Sequence, residues 1–224
     1  MQQRKSKKIL IYFFLLLIIG SINNLSINEI KISNITDIKI LGLGTENNNF
    51  LLEKINNLKL ENIILIKKNE LDNIISSNSL VEKYDIFKIY PSSLYINIQK
   101  TKFLAKINRD GVNYIIGSNG KLSNIEVYKE NLPFIFGKPK IEEFLRFKEV
   151  IDISKIKYKE IKNLYYFGTG RWDLELKDNL IIKLPENDIK NSLELVFEFL
   201  NNENFSNIKE IDARIKNQII LNDL

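Results

Sequence analysis

The chain has 224 residues, of which 33 are Lys or Arg and 28 are Asp or Glu, giving a formal net charge of +5, with no His and no Cys. Arg4, Lys5, Lys7 and Lys8 precede every acid, so the rest is close to neutral and lacks the dense basic face that nucleic-acid binding requires. Without His or Cys there can be no disulfide, no thiol nucleophile, no zinc held by nitrogen or sulfur, and no Ser-His-Asp triad.

The first element is an unbroken apolar run over 9–19, extended toward Leu25. Its length, about 17 residues, is at the short end of what spans a bilayer. A basic start followed by such a run also fits a cleaved signal peptide. Residues 20–28 offer no small-x-small cleavage site, which favours an uncleaved anchor with the N-terminus in the cytoplasm. Residues 26–34 read as a polar linker. Ile38 and Ile40 then alternate with Asp37 and Lys39, a strand ending at Gly42 and Gly44. The two glycines alone are a weak phosphate-loop signal and are better read as a turn. Leu51, Ile55 and Leu58 share one helical face, as do Leu71, Ile74 and Ile75 after a start signal at Asn69. Next come two alternating runs around Tyr90-Pro91-Ser92-Ser93. Tyr84 and Ile86 precede the turn, and Leu94, Ile96 and Ile98 follow it, which predicts an antiparallel hairpin.

Beyond Ala105 the pattern is β-rich. Strands over 105–107 and 112–116 flank Arg109-Asp110-Gly111, a tight turn, and Ser118-Asn119-Gly120 marks another. A helix is predicted over 141–150 with Ile141, Phe144 and Leu145 inward. Glu142 and Glu143 within it adjoin one another, with no second acid spaced across a cleft, and read as a solvated face rather than a catalytic pair. Trp172 to Leu176 and Leu180 to Leu184 form a hairpin around Lys177-Asp178-Asn179. Residues 186–200 form an amphipathic helix with acids in its first turn. Residues 208–221 (IKEIDARIKNQIIL) close the pattern as one strand, with Ile215, Asn217, Ile219 and Leu221 on one face and Lys216, Gln218 and Ile220 on the other.

Several of these segments resemble the FtsQ/DivIB family of bacterial division proteins. The resemblance rests on Lys88 with Tyr90-Pro91 and Leu94, then Lys100 and Ala105 in register. It continues through Leu132-Pro133 with Gly137, Arg171-Trp172 leading into Leu174 and Leu176, and Ile211-Asp212 with Arg214. Gln99 and Phe103 depart from the usual Glu and Pro of the hairpin exit. The resemblance implies an α+β protein: cytoplasmic stub (1–8), single transmembrane helix (9–25), linker (26–34), POTRA domain of order β-α-α-β-β (35–101), and a C-terminal β domain with two helices (102–224). It also implies a non-enzymatic, cofactor-free scaffold of septum formation in the cytoplasmic membrane, with its outer domains in the periplasm and no small-molecule substrate.

Partners implied by the resemblance are FtsB/FtsL-like coiled-coil proteins, bound by β-strand addition on the terminal strand. The partner-binding residues would be Ile215, Lys216, Asn217, Gln218, Ile219, Ile220 and Leu221, with Arg171 as a second contact. Trp172 is expected to be a core anchor. On this reading Ile219→Asp or Asn217→Pro removes binding from a folded domain. Three other readings stay open: a POTRA-containing adaptor for envelope protein assembly or secretion, a secreted enzyme using Glu142 or Asp178, and a periplasmic adaptor unrelated to division.

Overall fold

The structure, a computed structural model, describes residues 3–22, 35–58, 60, 63–64, 66–124, 131–202 and 208–222. The expected end of the span at Leu25 and the linker over 26–34 lie outside the described residues. The helix α1 (Gln3–Ile22) opens the chain, with side chains described over 7–21. Among the described residues no helix is long and apolar enough to cross a membrane. The chain forms two compact units: Met1–Ser77 with Tyr84–Gln99, and Asn78–Lys83 with Lys100–Leu224.

In the first unit β1 (Asp37–Leu41), α2 (Thr45–Asn56), α3 (Lys68–Ser77), β2 (Val81–Ile89) and β3 (Ser93–Lys100) follow the expected order of strand, helix, helix, strand, strand; β2 and β3 each run one end into the second unit. The sheet order is β1-β3-β2, with β1 parallel to β3 from Asp37↔Ser93 to Leu41↔Asn97. The alternation predicted for β3 is the buried row Leu94, Ile96 and Ile98, and the helices bury Leu51, Ile55, Leu71 and Ile75. These helical residues recur at four-residue spacing, so each helix has one apolar stripe to bury. Between β1 and α2 the backbone of Gly42 has φ +117, and a Cβ there would lie 1.7 Å from the Ile98 carbonyl oxygen. Only glycine fits so close an approach.

The second unit is a nine-stranded sheet of order β12-β11-β10-β9-β8-β7-β4-β5-β6. Its strands are β4 (Phe103–Arg109), β5 (Val112–Gly117), β6 (Leu122–Ser123), β7 (Phe134–Phe136), β8 (Ile161–Tyr166), β9 (Trp172–Leu176), β10 (Ile181–Lys183), β11 (Glu210–Asp212) and β12 (Ile220–Asn222). Positive φ at both Asp110 and Gly111 gives the two-residue turn that suits the twist of β4 and β5.

Two parallel connections, β7 to β8 through α4 (Ile141–Ile153) and β10 to β11 through α5 (Ile189–Asn202), step the same way across the sheet. The right-handed rule for such crossovers puts both helices on one face. One core forms there: Ile107, Ile135, Leu164, Leu174, Ile182 and Ile211 from the sheet join Phe144, Phe147, Ile151, Leu193 and Val196 from the helices.

Three expectations need correction. The strand β8 was not foreseen. The second amphipathic helix starts at Ile189 rather than 186 and has no acid in its first turn. Asp188 stands just before it at φ +65, a left-handed conformation that cannot continue a helix backward. Residues 208–221 are not one strand: β11 and β12 are an antiparallel hairpin, Ile211↔Leu221 and Asp212↔Ile220, with a turn between them.

Candidate functional site

The turn sits where the sequence pattern placed a strand. Asn217 adopts φ +57, and the Gln218 N–H donates to the Ile215 carbonyl at 3.1 Å. Asn tolerates the left-handed conformation better than most residues, which lets the chain reverse without glycine. Of the seven predicted strand residues, Ile215, Lys216, Asn217, Gln218 and Ile219 therefore lie in the connection, and Ile220 and Leu221 lie in β12. Ile219 packs against the core cluster, so Ile219→Asp would disturb packing and Asn217→Pro would break the turn. Neither substitution isolates an edge contact.

β12 ends the sheet, and among the described residues no strand pairs with its outer side. Ile220 and Leu221 are 39% and 37% exposed. Leu221 pairs with Ile211 on the helix-covered face, and Ile220 pairs with Asp212 on the other. A partner strand here would meet one side chain on each face, beside an unpaired row of backbone donors and acceptors.

The face away from the helices carries charge. Lys183 is in register with both Asp173 and Asp212, and its ammonium lies 2.7 Å from Glu210. Asn222 donates to Glu210 at 2.6 Å, tying β12 to the same group. Hydrogen bonds from Lys183 and Asn222 hold the Glu210 carboxyl below its ordinary pKa. Arg214 donates to Asp212 at 2.9 Å and lowers its pKa in the same way. Arg214, Lys216 and Asn217 also line a cavity of about 250 Å³ with Asp188 and Ser192.

The second predicted contact, Arg171, is not brought together with β12, since β10 and β11 intervene. Its guanidinium donates twice to Asp173, at 3.2 and 3.3 Å, and lies 4.0 Å over the Phe167 ring. Burial raises the pKa of Asp173, and the Arg171 charge only partly offsets it. Trp172 is a core anchor as expected: it is 3% exposed and stacks on Phe147 at 4.5 Å.

Sequence reasoning missed Asn222 and the carboxylate row. The row was visible as Asp173 and Glu175 alternating with Trp172, Leu174 and Leu176, which puts both acids on one face of β9. Glu175 accepts from Lys162 and Asn163 at 2.8 Å each and from Tyr165 at 2.6 Å. Burial alone would raise its pKa; these donors outweigh that and bring it down to about 2. Burial and then Glu175 push Tyr165 up to about 12.

Fold and site together define an α+β protein whose larger unit is a helix-backed mixed sheet with an open terminal strand. Residues 105–214 match the family profile described as "Cell division protein FtsQ/DivIB, C-terminal". The chain is 27% identical over 158 residues to the cell division protein FtsQ of Bradyrhizobium diazoefficiens, covering 66% of this chain and 44% of that protein. It is 26% identical over 178 residues to FtsQ of Rickettsia felis, covering 75% and 64%. The chain thus spans roughly half to two thirds of the relatives it matches. The major extracytoplasmic domain of the cell division protein DivIB from Geobacillus stearothermophilus (trans isomer) aligns with a TM-score of 0.33 at 13% identity, over 42% of this chain and 85% of that one. The chain thus carries an FtsQ/DivIB C-terminal region over 105–214 and is similar to FtsQ proteins over two thirds to three quarters of its length. The profile match ends at Arg214, before the turn and β12.

Proposed function

We propose that the chain is a membrane-anchored, non-enzymatic scaffold of bacterial septum formation that takes up a strand from an FtsB- or FtsL-like partner on β12. The observation that carries this reading is the open outer edge of β12, one of the two terminal strands of the sheet, with Ile220 and Leu221 exposed on it. An edge of this kind binds through main-chain hydrogen bonds, and side chains on the two faces select the partner. The site is therefore Ile220, Leu221 and Asn222, with the turn 215–219 fixing their register.

Arg171 remains a second contact in this proposal, with its side chain 25% exposed. It lies three strands from β12, roughly 14 Å at the usual strand spacing, so a partner reaching both must cross the end of the sheet. Anchoring is assigned to the apolar run that begins in α1 and that the sequence extends toward Leu25, because the described helix alone is not long and apolar enough to cross. Its apolar side chains from Ile9 to Ile19 are 47–69% exposed and need a nonaqueous environment. The basic residues before them hold that end in the cytoplasm and place the two units in the periplasm. The first unit is the POTRA domain of this reading, on the strength of its element order.

The test is a fluorescent fusion at Met1 followed in dividing cells, beside a Leu221→Pro variant. Septal accumulation that is lost in the variant, while the Trp172 emission of the purified protein is unchanged, is the expected result. An even envelope signal would instead assign the chain to general envelope assembly. Septal accumulation unchanged by Leu221→Pro would reject β12 as the docking edge.

A further inference from the structure

The turn between β2 and β3 carries apolar side chains that the first unit does not bury. Phe87, Ile89 and Tyr90 are 51%, 53% and 62% exposed, with Lys88 and Pro91 exposed among them. Phe87 reaches Tyr95 at 6.1 Å between ring centroids, yet half of its surface stays open. Large apolar side chains gathered at the tip of a hairpin are costly to leave in water and mark a contact surface.

Topology says where this tip lies relative to the chain's entry into the unit. Parallel pairing begins at Asp37↔Ser93, so β1 starts beside the start of β3, at the turn. Just before it, the Thr36 N–H donates to the Ser92 carbonyl at 2.9 Å, and the two hydroxyls lie 2.8 Å apart. The chain arriving from α1 thus enters at the same end that presents Phe87, Ile89 and Tyr90. Thirteen residues separate Ile22 from Thr36. Even fully extended they reach no more than about 50 Å, so an anchored α1 keeps this end at high effective concentration next to the membrane.

We propose that the β2–β3 tip rests on the lipid surface, with Phe87, Ile89 and Tyr90 dipping into the headgroup boundary and Lys88 reaching the phosphates. This rests on the reading of α1 as an anchor. The composition fits that occupant: Tyr combines an apolar ring with a polar end suited to the boundary, and Lys can extend its stem through it. Exposed Asp37 lies at the same end as Lys88 and leaves it close to neutral. Apolar contact rather than charge therefore carries the attachment, and it should resist salt.

The absence of Cys allows single labels to be placed in the full chain. The chain is reconstituted into vesicles of phosphatidylethanolamine and phosphatidylglycerol, with or without brominated acyl chains. A nitrobenzoxadiazole label is attached at Ile89→Cys, Asn97→Cys or Leu16→Cys. Asn97 is exposed and lies five residues along β3 from Ser92, roughly 16 Å further from the tip. The Ile89 label is expected to lose emission in brominated vesicles, because a group at the headgroup/acyl boundary lies within reach of the acyl chains, with the Asn97 label unaffected and added salt without effect. An Ile89 label quenched no more than the Asn97 label overturns the tip contact and leaves the patch to a protein partner. The Leu16 label tests the anchor separately. Quenched there with a silent tip, the anchor stands and the tip contact fails. Silent at Leu16, the anchor fails, and the tip contact is then judged by the Ile89 label alone. A second label at Tyr90→Cys guards against a local effect of one substitution.

Discussion

Glu175→Gln tests whether charge, rather than shape, holds the open face of the larger sheet. The carboxylate accepts from Lys162, Asn163 and Tyr165. Gln keeps the volume but replaces one acceptor oxygen with an amide that points donor at donor. A carboxyl held at about 2 in the folded protein, against 4.5 ordinarily, stabilises the fold at neutral pH by up to ~3 kcal/mol. Lys162 is half exposed and screened by water, so the expected cost of the substitution at pH 7 is about 1–2 kcal/mol. The sign follows from the lowered pKa. The contribution is present above about pH 4.5 and is lost as pH falls toward 2, so the gap between parent and variant should close across that window. Asp173 runs the other way: its raised pKa makes it less unfavourable as the pH falls. Asp173 is common to both proteins and cancels in the difference. The assay is urea unfolding in detergent followed by Trp172, the single Trp, which sits in the core of the same unit and on the same strand. A stability gap that is equal at pH 7 and pH 2.5 would refute the reasoning, because a packing defect does not titrate.

Other expectations follow from the same geometry. Gly42→Ala should destabilise the first unit by more than ~2 kcal/mol, since its Cβ would overlap the Ile98 carbonyl; amide exchange in β3 should speed up while Trp172 emission stays constant. Phe147→Ala removes the ring stacked on Trp172 and should cost about 3–5 kcal/mol, with a red-shifted Trp emission in the native state. Asn217→Gly should be nearly neutral, within ~0.5 kcal/mol, whereas Asn217→Pro cannot adopt φ +57 and should raise amide exchange in β12. Equal exchange in those two variants would mean that the turn does not set the register of β12.

The parts of the fold that were legible in the sequence are those where one face is wet and the other dry. Leu94, Ile96 and Ile98 alternate with exposed or half-exposed neighbours, so the pattern states both strand and face. The helices α2 and α3 announce themselves by Leu51/Ile55 and Leu71/Ile75 for the same reason. β8 was illegible because Ile161 and Leu164, its buried residues, are three apart and a register irregularity between Ile161 and Asn163 breaks the alternation. The closing hairpin was misread because Ile215, Ile219 and Leu221 keep strand spacing straight through a turn that contains neither Gly nor Pro. At the site, Ile220 and Leu221 were legible as apolar, but Asn222 was not, because its role depends on Glu210, twelve residues away and across a hairpin.

From β7 to β12 the spatial order of the sheet is the order of the chain, each strand lying directly beside the one before it. A mixed sheet can instead insert a later strand between earlier ones and must then hold a gap open while the chain is made. This half does not. As the polypeptide is delivered N-terminus first, each new strand meets a template that is already complete; β8 to β9, β9 to β10 and β11 to β12 close over short loops, while β7 to β8 and β10 to β11 wait for their crossover helices. Growth is one-sided, like a wall built from a fixed corner. A strand supplied by another protein at β12 would be the next course in that series, added by the same step that placed the five strands after β7.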